Sequence, residues 1–230
     1  MKTIAARVLF EDNHIIAVNK KAGELVQGDK TGDKTLPDLV KAYLKEKFNK
    51  PGNVFLGVVH RLDRPTSGAL VFARTSKALT RMNDLFRNRE TKKVYWALTE
   101  KAPEKPEGTL THFLVKNSQK NKSYAVSESD KRGSKAILDY KLIASLDKYY
   151  LIEVLLHTGR HHQIRVQLAS MGCIIKGDLK YGAKRSNPDA SISLHARHLT
   201  FIHPVTKEPV TVTAPVPSEP IWQAAEKSAS

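Results

Sequence analysis

His60-Arg61-Leu62-Asp63-Arg64-Pro65-Thr66-Ser67-Gly68 is a polar stretch between two apolar runs, Val54-Phe55-Leu56-Gly57-Val58-Val59 before it and Ala69-Leu70-Val71-Phe72-Ala73 after it. The first run is expected to be buried and the second to be a strand, which makes the polar stretch a loop. Asp63 stands in it between Arg61 and Arg64, followed by Pro65 and the small residues Thr66, Ser67 and Gly68. Neighbouring guanidinium groups favour the ionised form, so a carboxylate able to act as nucleophile or base is expected at neutral pH. A loop aspartate can equally cap a turn or balance local arginine charge, and the residues alone favour neither role.

Upstream of this loop, Val8, Phe10, Ile15, Ile16 and Val18 predict two short strands around Glu11-Asp12-Asn13. Gly23 and Gly28 punctuate a loop, and Thr35 with Asp38 three residues on opens a helix through Leu36, Leu39, Val40, Tyr43, Leu44 and Phe48 that stops by Pro51-Gly52. Downstream, Ser76 is expected to cap a helix carrying Ala78, Leu79, Met82, Leu85 and Phe86, before a strand over Lys92 to Leu98. Lys101 to Gly108 reads as a surface excursion, and the polar, basic segment Lys116 to Lys135 as a mobile hairpin that meets a partner. Leu138, Tyr140 and Leu142, then Tyr149 to Leu156, give two more strands. Thr158 is expected to cap a helix bearing Ile164, Leu168 and Met171 on one face and ending at a left-handed Gly172. Leu199-Thr200-Phe201 and Val210-Thr211-Val212 predict a hairpin, and Ser218 to Ser230 a short frayed or helical tail. Many strands, few helices and no regular βαβ spacing predict an α+β fold: a mixed, mostly antiparallel β-sheet with flanking helices.

Composition limits what this fold can do. With 230 residues, 40% hydrophobic and 27% charged, the chain is too apolar for a disordered protein and large enough to bury a core without a staple. Cys173 is the only cysteine, which excludes an intrachain disulfide and a cysteine-based zinc cluster and suits a reducing cytoplasm. Uncharged stretches such as Pro51 to His60 and Val166 to Ile175 fall well short of the roughly 18 to 20 residues a membrane-spanning helix needs. The start, Met1 to Val8, lacks the apolar centre of a signal peptide. The net charge is +15, from 38 Lys and Arg against 23 Asp and Glu. The sequence pI is near 9.8. The positive residues, among them Arg81, Arg87, Arg89, Lys92, Lys93, Arg160 and Arg165, are dispersed rather than gathered in a tail, a pattern that favours a broad basic surface for nucleic acid. A solvated basic face or an acidic membrane would give the same sum.

The loop around Asp63 closely resembles the catalytic motif of the RluA-type RNA pseudouridine synthases. The resemblance extends to Glu11-Asp12-Asn13-His14-Ile15-Ile16-Ala17-Val18-Asn19-Lys20, to Lys93-Val94-Tyr95-Trp96-Ala97, and to Thr158-Gly159-Arg160-His161-His162-Gln163-Ile164-Arg165 followed by Gly177-Asp178 and Tyr181-Gly182. Separated motifs in the family's order are far more specific than any one short pattern. The resemblance implies an isomerase that cleaves the bond from ribose C1′ to N1 of a uridine in ribosomal or transfer RNA, turns the base and rejoins it through C5. It needs no cofactor and no metal. Asp63 would either add to C1′ or remove a ribose proton to pass through a glycal. Tyr95 would stack beneath the flipped base, and Arg165 would pair with Asp63. Arg61 would fill the gap left by the extruded base, and Arg64, Arg160 and His161 would contact RNA. The family resemblance begins almost at Val8, so residues 1–230 are expected to be one catalytic domain with no S4-like domain in front, acting as a monomer in the cytoplasm.

Lys21 stands where many relatives have proline, and Gln167 and Cys173 also depart from the common pattern, though none maps to a catalytic position. The pair His161-His162 invites a metal reading, but neighbours on a helix point about 100° apart and no cysteine or paired carboxylate completes a site. These two, and likewise His195 and His198, are read as structural or RNA-contact histidines rather than ligands. Ser67 lacks the surroundings of a hydrolase nucleophile. Two other function classes remain: a catalytically idle RNA-binding or ribosome-assembly module of the same fold, and a metal-dependent RNA hydrolase.

Overall fold

The computed structural model describes residues 3–28 and 32–229; Met1 and Lys2 of the expected leaderless start and Ser230 of the expected tail lie outside them. The chain divides into two compact units. The first runs to Lys92 and adds Ala196–Pro215, and the second comprises Lys93–His195 and the residues from Val216 on.

In the first unit, strands β1 (Val8–Glu11), β2 (Ile15–Lys20) and β4 (Ser67–Ala73) are neighbours in that order, β4 next borders β10 (Leu194–Ile202), and the short β3 (Gly57–Val58) also pairs with β4. The strand β11 (Pro209–Thr213) forms the expected hairpin with β10. Both β2 and β4 are antiparallel and in register from Ile15 opposite Ala73 to Lys20 opposite Gly68. Each is a nearly unbroken apolar run because both of its faces are covered. One face, with Ile15, Ala17, Ala69, Val71 and Ala73, packs against Ala78 and Met82 of α2 (Ser76–Arg87). Helix α1 (Leu36–Lys47) opens on the expected capping box: Thr35 Oγ1 accepts from Asp38 N–H and Asp38 Oδ2 accepts from Thr35 N–H.

Two expectations need correction here. The cap of α2 is Thr75, whose hydroxyl accepts from Ala78 N–H, while Ser76 is the first helical residue; two adjacent hydroxyl residues offer the same cap chemistry and geometry selects one. The run Val54 to Val59 is not uniformly buried. Phe55 is 48% exposed and Val58 39%, and only Gly57–Val58 is strand.

The second unit has the strand order β5 (Lys92–Thr99), β9 (Tyr150–Leu156), β8 (Ser134–Ser145), β6 (Glu107–Asn117) and β7 (Lys122–Val126), with antiparallel neighbours throughout. The basic segment forms the β6–β7 hairpin and its continuation into β8. The tail is helix α4 (Pro220–Ala229), whose Trp222 and Ala225 pack against Trp96, Leu98 and Leu151. Gln167 is fully buried and donates through Nε2 to the carbonyls of Leu110 and Ala136, tying its helix to β6 and β8.

That helix, α3 (Gln163–Ser170), begins later than expected and is buried from Gln163 to Leu168 rather than on one face. Thr158 does not cap it. Its hydroxyl accepts from Ile137 N–H and donates to the Gln163 side chain, while the cap position is held by His162 in a left-handed conformation, φ 54°. Gly172 does close the helix at φ +81°. Among the described residues no helix is long and apolar enough to cross a membrane.

Candidate active site

In the first unit the decisive element is the loop that feeds β4. His60 anchors its beginning: Nε2 accepts from Val71 N–H at 3.2 Å, and the ring stacks on Phe86. Leu62 is buried, Asp63 half-buried, and Arg61 and Arg64 exposed. A turn closes from Thr66 N–H to the Asp63 carbonyl at 3.0 Å. Beneath it lies the side chain of Lys20, 0% exposed, whose ammonium donates to the carbonyls of Thr66 at 2.6 Å and of Asp63, Arg64 and Lys21 at 3.1 Å each. Burial lowers its pKa from 10.5 to about 8; Glu24 and Asp63 oppose the shift, and Arg64 and Arg7 add to it. A buried cation is thus satisfied by main-chain dipoles, and the backbone that carries Asp63 is held from below.

The sequence places Lys20 at the end of a motif but says nothing of this grip, which follows from the register that sets Lys20 opposite Gly68. Gly68 has φ +118°, and a Cβ there would come within 2.3 Å of the Ala196 carbonyl oxygen, so the backbones of β4 and β10 approach at a spacing only glycine permits. Arg61 is held by the Gln27 side chain at 2.5 Å. Arg64 donates to the Gly23 carbonyl at 3.1 Å and pairs with Asp33 at 3.4 Å. Both arginines remain on the surface.

In the second unit, Tyr95 lies on β5 opposite Val154 and is 9% exposed. Arg165 is 5% exposed and grips Asp178, 1% exposed, through Nε and Nη2 at 2.7 Å each. Nothing local in the sequence marks this two-pronged pair, although Gly177-Asp178 follows the Arg165 motif. His161 and His162 do not diverge as helical neighbours. Their rings stack at 3.8 Å because His162 is left-handed and outside the helix. His161 meets Ser123 Oγ at 2.9 Å, and Arg160, exposed, donates to the Lys135 carbonyl at 3.1 Å. Among the described residues no group of three or more His, Cys, Asp or Glu side chains is arranged to hold a metal ion.

The first unit thus carries a half-buried carboxylate on a cation-braced loop, in a strongly basic chain suited to a polyanionic partner. The family model described as RNA pseudouridylate synthase matches residues 14–170. The chain belongs to the RNA pseudouridylate synthase family, isomerases whose substrate is RNA. It is 34% identical over 226 residues to ribosomal large subunit pseudouridine synthase D of Zymomonas mobilis, covering 94% of this chain and 71% of that protein. It is 35% identical over 218 residues to a second Zymomonas mobilis protein, named an uncharacterized RNA pseudouridine synthase, covering 94% and 96% of the two chains. It is 33% identical over 218 residues to ribosomal large subunit pseudouridine synthase C of Rickettsia prowazekii, covering 94% and 70%. The solved structure of human RNA pseudouridylate synthase domain containing 4 shares the fold, with a TM-score of 0.81 at 23% identity over 98% of this chain and 94% of that one.

Proposed function

We propose that the chain converts a uridine of large-subunit ribosomal RNA to pseudouridine, as a cytoplasmic monomer and without metal or organic cofactor. The bond from C1′ to N1 breaks, the base turns, and a bond forms from C1′ to C5. A proton leaves C5 and N1 takes one up. Composition is unchanged, so no oxidant or reductant is required. The protein must instead offset the few kcal/mol, roughly, of unstacking a base, supply a group at the ribose and move one proton.

Asp63 acts at the ribose, by adding to C1′ or by taking a ribose proton. Tyr95 lies beneath the extruded base and assists the proton, and Arg165 orients the aspartate. Arg61 fills the vacated stack, and Arg64, Arg160 and His161 contact the RNA. The observation that carries this reading is the presentation of Asp63: a half-buried carboxylate on a turn whose carbonyls are gripped by a buried ammonium, flanked by exposed arginines. The choice of ribosomal RNA is supported by the names of the relatives. The family match runs through residues of both units, which supports treating residues 1–230 as one catalytic domain.

The test is to map pseudouridines in ribosomal and transfer RNA from cells with and without the gene, and to assay the purified protein on protein-free ribosomal RNA with a chelator present. Loss at one or a few large-subunit positions, restored by the wild-type gene but not by Asp63→Asn, is expected. Losses confined to transfer RNA would reassign the substrate, and an unchanged map with retained RNA binding would favour the idle module.

A further inference from the structure

We propose that His162 and Tyr181 are positioning residues for the reaction, forming a directional hydrogen-bonded strut that ties the Arg165 guanidinium to the main chain of the β6–β7 hairpin. Its functional part rests on Arg165 being the cation of the reaction, as proposed above.

Arginine has five N–H donors and no acceptor. The 3.0 Å contact between Arg165 Nη1 and His162 Nε2 therefore makes Nε2 the acceptor. The ring is then neutral, with its proton on Nδ1, which lies 2.9 Å from the Tyr181 hydroxyl and donates to it. The Tyr181 hydrogen is in turn directed to the Ser123 carbonyl at 3.1 Å, and the Tyr181 hydroxyl oxygen accepts from Ser123 N–H at 2.9 Å. Each hydrogen in the chain has one direction, and the far end is backbone: Ser123 pairs with Lys116 across the hairpin.

The surroundings hold the ring in that state. His162 is buried and is faced by Arg165 and the stacked His161 from its own segment, by Lys180 beside Tyr181, and by Lys116 of β6. Burial and these positive groups push its pKa down to about 2. Asp178 takes the Nε and Nη2 edge of the guanidinium, His162 takes Nη1, and the Tyr181 ring lies 5.1 Å from the guanidinium carbon. The left-handed backbone of His162, φ 54°, is one that a residue with a Cβ rarely adopts. Such conformations persist where the surroundings over-determine them.

The first arm of the test is nitrogen-15 NMR of the histidine rings in the full chain, His162 being assigned by the signals lost in His162→Gln. A protonated Nδ1 and a bare Nε2 are expected, unchanged across about pH 5 to 8, where an ordinary histidine titrates. A ring that titrates in this window, or one protonated on Nε2, overturns the strut whatever Arg165 does. The second arm is single-turnover isomerisation by Tyr181→Phe, which keeps the ring against Arg165 and removes only the hydroxyl. The rate should fall about tenfold with RNA affinity unchanged. Adding His162→Gln should slow it no further than the slower single variant, since one strut is being cut twice. Wild-type turnover by Tyr181→Phe alongside an inactive Arg165→Ala would overturn the strut and leave the role of Arg165 standing. Wild-type turnover by Arg165→Ala would instead remove the reading of Arg165, and the strut's part in the reaction with it.

Discussion

The ammonium of Lys20 sits 2.6 Å from the Thr66 carbonyl and 3.1 Å from that of Asp63, so the last residue of β2 fixes the backbone of the turn that displays the carboxylate. An ammonium has three hydrogens for this task and a neutral amine only two, with a lone pair turned toward carbonyl oxygens. Burial brings the pKa of Lys20 to about 8, so the exchange falls within reach of ordinary assay buffers.

The prediction is an alkaline fall in turnover that stability does not follow. A lysine whose folded pKa lies below its unfolded value binds fewer protons folded than unfolded between about pH 8 and 10.5, so in that window its titration raises the free energy of unfolding. Turnover should decline above pH 8 while this group adds no loss of melting temperature. Lys20→Met should be slow at every pH, without that limb, and less stable by about 1 to 3 kcal/mol through carbonyls left without a donor. A wild-type profile level through about pH 9 would count against the grip as a determinant of rate.

Asp63→Asn tests the carboxylate apart from the fold. The Asp63 carbonyl, which accepts from the Lys20 ammonium and from Thr66 N–H, is kept by the substitution, and the residue is only half-buried. The variant should therefore melt within about 1 kcal/mol of wild type and bind RNA normally, while losing isomerisation. Turnover near the wild-type rate would sink the assignment.

Gly68→Ala addresses the backbone around the same loop. Its φ of +118° and the 2.3 Å approach of a new Cβ to the Ala196 carbonyl leave no inexpensive adjustment, because the obstacle is main chain. A loss of about 3 kcal/mol or more in denaturant unfolding is expected. A loss below about 1 kcal/mol would mean that β4 and β10 can part without penalty.

Much of this architecture was legible because its causes are local. Apolar runs such as Ile15 to Val18 and Ala69 to Ala73 declare strands covered on both faces, and Thr35 with Asp38 declares the start of α1. The failures share a different cause. Nothing in Arg160-His161-His162 announces a left-handed His162, since the conformation is imposed by Arg165 and Tyr181, distant or a helical turn away. The pairing of Asp178 with Arg165 and the burial of the Lys20 ammonium likewise depend on which chain segments meet. Asp63, Tyr95 and Arg165 stand out in the sequence only through the motifs that contain them, whereas the grip of Lys20 on the turn and of Asp178 on the guanidinium leaves no local mark.

Substituting Arg61 tests base extrusion apart from chemistry, because Leu62 between it and Asp63 is buried while Arg61 stays exposed and is held by Gln27 at 2.5 Å. A planar guanidinium that leaves Gln27 can stack where the uridine was, so its benefit scales with how firmly that uridine is stacked beforehand. Arg61→Ala should harm an RNA whose target lies in a stem or structured loop about tenfold or more beyond its effect on one with an unstacked target. The roughly few kcal/mol of unstacking is largely absent in the second RNA. Asp63→Asn should harm both alike, since the bonds made and broken are the same. The measurement is single-turnover isomerisation of two short RNAs with identical neighbours around the uridine and different pairing. Equal losses for Arg61→Ala on both would reduce Arg61 to a phosphate contact and leave extrusion to the remaining basic surface.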